Sequence, residues 1–84
     1  MTIRTDTTYR ALDLVPIPED VPELGVKAGD YGVVDFVYDD GRGLHVEIGR
    51  EDGSTAGFVQ LEACPAADGK DAWRVAAYTP INSR

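Results

Sequence analysis

Apolar and polar residues alternate in several short runs separated by glycine, proline and aspartate, a pattern that predicts strands joined by turns. From Tyr9 to Val15 the alternation turns Leu12 and Leu14 to one face and Asp13 to the other, as in a half-buried strand. Pro16, Pro18 and Pro22 then remove backbone donors, which excludes both a central strand and a helix interior. The stretch from Pro16 to Ala28 is therefore expected to be a long ordered loop, with Ile17, Val21, Leu24 and Val26 available to tuck it onto the core. A short helical turn around Pro18 to Val21 is compatible with it. Gly29-Asp30-Tyr31-Gly32 turns the chain into Val33–Tyr38, a run of β-branched and aromatic residues. Asp39 to Gly43 reads as a hairpin loop whose glycines supply positive φ. Leu44, Val46 and Ile48 then face inward, with His45 and Glu47 outward. After the turn Glu51–Ser54, a fourth strand is expected from Thr55 to Leu61. A fifth comes after the polar loop Pro65–Lys70, from Ala72 to Tyr78, with Trp73, Val75 and Ala77 on one face.

About five short antiparallel strands predict an all-β domain, a small barrel or a pair of curled sheets, and closure would hide edges that otherwise invite aggregation. Residues 1–8 read as a loose lead-in, 9–79 as a single domain and 80–84 as a tail. No heptad, solenoid-length repeat or low-complexity tract interrupts this pattern.

Composition narrows the setting. A chain of 84 residues fits one domain, and chains this short bury only about 60% of their unfolded surface, so the core is thin. The single Cys64 excludes an internal disulfide. With neither a signal-like start nor an apolar run near the roughly 20 residues that cross a bilayer, the expected setting is a reducing cytoplasm. The net charge of −7 is concentrated in the middle: residues 30–62 hold eight acids against Arg42 and Arg50. Such a field keeps a small domain soluble, and it also steers a basic partner. It opposes a phosphate backbone, which argues against nucleic acid.

Little reactive chemistry is assembled. His45 is the only histidine, facing outward, with a contact to Glu47 within geometric reach; its ordinary role is a surface residue in a cross-strand pair. Cys64, before Pro65 and without a basic neighbour, reads as a small buried filler. One histidine and one cysteine do not make a zinc site, and Asp35, Asp39, Asp40 and Gly41 do not follow a calcium loop. Gly41-Arg42-Gly43 lacks the context of a dinucleotide fingerprint. No cofactor, metal or catalytic residue is therefore expected, and the chain is not expected to be an enzyme on its own. The aromatics Tyr31, Phe36, Tyr38, Phe58, Trp73 and Tyr78 are numerous for a thin core. Two roles compete for them, core filling and partner contact.

The run Gly25-Val26-Lys27-Ala28-Gly29-Asp30-Tyr31-Gly32-Val33-Val34-Asp35-Phe36-Val37-Tyr38 resembles small bacterial SH3-like barrel proteins of an uncharacterised family. Their pattern is Gly-Leu-Lys-x-Gly-Asp-x-Gly-x-Val-Val-x-Val-Tyr. The likeness covers roughly residues 10–62. Lys27 to Val34 is similar, more distantly, to the strand entry of KOW-type barrels. The resemblance implies an SH3-like barrel of about five antiparallel strands with a long proline-bearing first loop. It also implies an accessory, regulatory or immunity/antitoxin-like partner of another protein. The expected partner is a protein with a basic surface, steered by Asp39, Asp40, Glu47 and Glu51 and anchored by Tyr31, Tyr38 and Trp73. A KOW-like nucleic-acid or ribosome binder, and a non-catalytic subunit of an enzyme, are the alternatives.

Overall fold

The computed structural model describes residues 3–5 and 8–81. Its strands are β1 (Ile3–Arg4), β2 (Leu14–Pro16), β3 (Tyr31–Tyr38), β4 (Gly43–Gly49), β5 (Thr55–Pro65) and β6 (Asp71–Pro80). They form one antiparallel sheet in the order β1-β6-β5-β4-β3-β2, curled into a nearly closed barrel. Among the described residues no helix is long and apolar enough to cross a membrane.

The hairpin of β3 and β4 carries the expected alternation: Leu44, Val46 and Ile48 are buried while His45 and Glu47 point outward. Its turn uses more left-handed backbone than the glycines alone supply, since Asp39 (φ 54°) and Asp40 (φ 52°) join Gly41 (φ 88°). Aspartate enters this region more readily than most residues, which permits the tight turn. One residue of β3, Asp35, is bulged, because Val34 pairs with Val46 and Phe36 with His45. The bulge leaves Asp35 and Phe36 both exposed.

The long loop closes the barrel. Ile17, Val21, Leu24 and Val26 are all buried, as expected of a loop that must supply core, and Val21 and Val26 bridge one another. The helical turn falls at Pro22–Leu24, later than Pro18–Val21, where proline opens it and left-handed Gly25 ends it. Across the gap between β2 and β6, the Glu19 carboxylate accepts the Val75 N–H at 2.9 Å. Leu24 packs where a Cβ on Gly57 would sit, and Tyr78 donates its hydroxyl to Glu23. These contacts seal the seam that the sheet leaves open.

Three expectations are corrected. The first strand spans only Leu14–Pro16 and its faces are reversed: Val15 and Ile17 are fully buried, whereas Leu12 is 83% and Leu14 63% exposed. A turn upstream causes the reversal, with Asp13 N–H donating to the Arg10 carbonyl and Leu12 at φ 77°. Pairing then sets Val15 opposite the buried Gly32 and Leu14 opposite Val33. A one-residue change of parity exchanges every side chain between faces. On β6, Leu61 pairs with Val75 but Gln60 with Ala77, so Ala76 is an extra residue. Trp73 is buried and Val75 half-buried, while Ala77, expected on their face, is turned to solvent. Finally, Ile3 and Arg4 are not a loose lead-in: they pair with Trp73 and Ala72, and Arg4 forks onto Asp68 at 2.6 and 3.1 Å. At the other end Ile81 N–H donates to the Ala56 carbonyl. The remaining lead-in residues 1, 2, 6 and 7 and tail residues 82–84 lie outside the described residues.

Candidate functional site

Strand alternation sends Phe58 and Gln60 of β5 to the outer face, because Val59 and Leu61 are fully buried. On β4 the same rule exposes His45 and Glu47. The bulge at Asp35 brings Phe36 into register with His45, while Glu47 sits opposite Phe58. His45 thus lies between two rings from neighbouring strands. Its ring centroid is 5.0 Å from Phe36 at 19° and 4.8 Å from Phe58 at 24°, both stacked. Tyr38 continues the row at 5.9 Å from Phe36, tilted by 52°. Its ring occupies the place of a Cβ on Gly43, so the glycine in β4 is what lets Tyr38 lie flat on the sheet.

This row is wet on its outer side. Phe36 is 50% exposed, and Tyr31, farther along the same face of β3, is 65% exposed. Val33 lies between them, opposite the exposed Leu14 on β2. Large apolar side chains left in water on one continuous face mark a contact surface more often than a scattered few do.

Acids border the rings. Asp35 Oδ2 lies 3.3 Å from His45 Nδ1. Glu47 accepts the Thr55 hydroxyl at 2.6 Å, so it is Asp35 rather than Glu47 that engages the histidine. Asp39 and Asp40 stand exposed in the turn beside Tyr38. Burial, followed by the charges of Glu62 and Asp39, holds the Tyr38 hydroxyl protonated above its usual range, so both carboxylates act on this end of the row. Neither β3 nor β4 carries a lysine or arginine; Arg42, in the turn between them, is paired with Asp71 at 2.7 Å, and Arg74 faces Glu62 from β6.

Of the residues expected to make partner contacts, Tyr38, Asp39, Asp40 and Glu47 are brought together here, and Tyr31 lies at the far end of the same face. Glu51 does not join them: it is exposed in the turn after β4, at the opposite end of the strands from Asp39. Trp73 is no surface anchor. It is 4% exposed in the core, with Tyr9 edge-on at 6.3 Å, and among the described residues its indole N–H has no hydrogen-bond partner. Phe36, His45, Phe58 and Asp35 complete the site without having been singled out as contacts. The alternation around Val59 and Leu61 could have exposed Phe58, and that of β4 had already turned His45 outward. Nothing in the sequence marks the bulge that positions Asp35 and Phe36.

Elsewhere, a hollow lined by Arg4, Thr5, Asp68, Lys70 and Asp71 has two of its acids engaged by Arg4 and Arg42. Cys64 is half-buried near the end of β5, opposite Ala72. Among the described residues, no three histidine, cysteine or acidic side chains gather to hold a metal ion. Set against protein families, curated proteins and solved structures, the chain matches none.

Proposed function

We propose that this chain is a protein-interaction module, an accessory, regulatory or immunity-like partner of another protein, and that the outer face of β3, β4 and β5 receives a basic surface. The observation that carries this reading is the outward-facing row Tyr38–Phe36–His45–Phe58, with Phe36 half in water and the others half-buried, set among Asp35, Asp39, Asp40 and Glu47. Aromatic rings supply contact area at low entropic cost, and the acids raise the rate at which a positively charged partner arrives. The likeness of residues 25–38 to small bacterial barrels supports the same class of role, and the lone Cys64 fits a reducing cytoplasm. The acids would repel the phosphates that a KOW-like role requires.

The test is capture of a basic protein from native lysate by the immobilised chain at low and high salt, with Phe36→Ala and the pair Asp39→Asn, Asp40→Asn alongside. Capture should fall with salt and weaken in both variants. A capture indifferent to salt and to both variants refutes the reading, and retention of RNA alone replaces it with the nucleic-acid alternative. If the captured partner is an enzyme whose rate changes on binding, the role is that of a non-catalytic subunit.

A further inference from the structure

We infer that Phe36, the end ring of the stack, is the platform on which the partner lays an arginine, so that this face selects arginine over lysine. The inference rests on the face being a partner-binding surface and names the group it reads. The three stacked rings run across the sheet from β5 through β4 to β3: Phe58, His45, Phe36. At the β5 end, Phe58 is half-buried and its neighbour on β6 is Thr79. At the β3 end the parallel stacking stops at Phe36, whose other ring neighbour, Tyr38 on the same strand, lies tilted by 52° at 5.9 Å rather than stacked. Strand β2 pairs with Tyr31, Gly32 and Val33, and the chain before it reaches Val34 through the Leu12 N–H and the Asp13 carbonyl, so that neighbour's backbone hydrogen bonds stop two residues short of Phe36. One side of that ring is covered by His45, yet half of the residue remains in water.

A flat cation extends such a row naturally. The guanidinium is planar and weakly hydrated, so it stacks on a ring while its N–H edge stays free to fork onto a carboxylate. An ammonium is compact and strongly hydrated, and can do only one of these well. Carboxylates stand in reach of such a fork by position. Asp35 precedes Phe36 and, through the bulge, shares its exposure; only its Oδ2 is taken by His45. Asp39 stands three residues later, beside Tyr38. Neither β3 nor β4 carries a lysine or arginine to compete for these carboxylates, and His45 takes only one oxygen of Asp35.

The experiment titrates isotopically labelled protein with the peptide acetyl-Gly-Arg-Gly-Arg-Gly-amide, its lysine counterpart and its citrulline counterpart. The ring signals of Phe36, His45 and Phe58 are followed by NMR. The arginine peptide should move them and bind about 3-fold tighter than the lysine peptide, the factor expected of an exposed cation–π contact. Citrulline, flat but neutral, should bind more weakly than either. Phe36→Leu should abolish the arginine preference, and Asp35→Asn should reduce it, with the backbone spectrum of the core unchanged in both. Equal binding of arginine and lysine peptides at these rings overturns arginine selection but leaves the partner face standing. No movement of the ring signals with any peptide also overturns it. The face itself then falls only if partner capture is insensitive to Phe36→Ala.

Discussion

A methyl group added at Gly32 would be driven into the wall of the barrel. Gly32 is buried in β3, opposite Val15, and its backbone is not left-handed, so conformational strain plays no part. A Cβ there would strike Val46 Cγ1, stand 2.9 Å from Ile48 Cδ1 and 3.0 Å from the Glu47 carbonyl oxygen. The carbonyl belongs to a paired strand and has little freedom to retreat. Overpacking of this kind costs about 1–3 kcal/mol, and the fixed oxygen places Gly32→Ala in the upper half of that range. A domain of this size has only about 4–13 kcal/mol to lose. At about 4–8 °C per kcal/mol, the melting temperature should drop by about 8–24 °C. Gly32→Val should be worse. Circular dichroism during thermal and urea unfolding reads the effect, with Gly41→Ala as a control. There the φ of 88° carries strain but open space surrounds the Cβ, so a loss of only about 1–2 kcal/mol is expected. The packing argument makes a sharper demand: trimming Val46 to Ala should relieve part of the clash. The double variant Gly32→Ala, Val46→Ala should then be more stable than the sum of the single losses by about 1 kcal/mol or more. A melting point for Gly32→Ala within about 3 °C of the parent, or strict additivity with Val46→Ala, would refute the reasoning.

Three further outcomes are expected. Phe36→Ala should weaken partner capture while changing stability by less than about 1 kcal/mol, because the ring is half in water; a collapsed melting curve would make it a structural residue instead. Glu19→Ala should speed hydrogen exchange at the Val75 amide and cost about 1–2 kcal/mol, since that amide loses its acceptor across the seam; unchanged exchange at Val75 would remove Glu19 from barrel closure. Asp52 accepts hydrogen bonds from the Ser54 hydroxyl and amide, which lower its pKa from the ordinary 3.8. Its contribution is therefore full above about pH 3.8 and is lost as pH falls through the lower folded value. A carboxyl titration monitored by NMR should show Asp52→Asn removing this acid-side loss from the 50–54 turn, and an Asp52 midpoint at or above 3.8 would contradict it.

Local patterning alone determined the β3–β4 hairpin, the next strand from Thr55, the loop residues Ile17, Val21, Leu24 and Val26 as core, and the outward aim of His45 and Glu47. Each of these depends on the chemistry of residues close in sequence: proline without an amide donor, β-branched runs, glycine at turns, strict alternation. The tertiary structure decided the rest. Which face Leu12 and Leu14 take depended on the register of Val15 against Gly32, a residue far along the chain. The bulges at Asp35 and Ala76 exist only relative to β4 and β5, and each reverses the parity of the strand residues beyond it. Trp73 was legible as a large aromatic, but whether it met water depended on where β6 lay against the rest of the core. The acidic character of the 30–62 stretch was plain in the sequence. That it borders a stack of rings rather than a bare sheet came from three strands meeting in one register, which no single strand encodes.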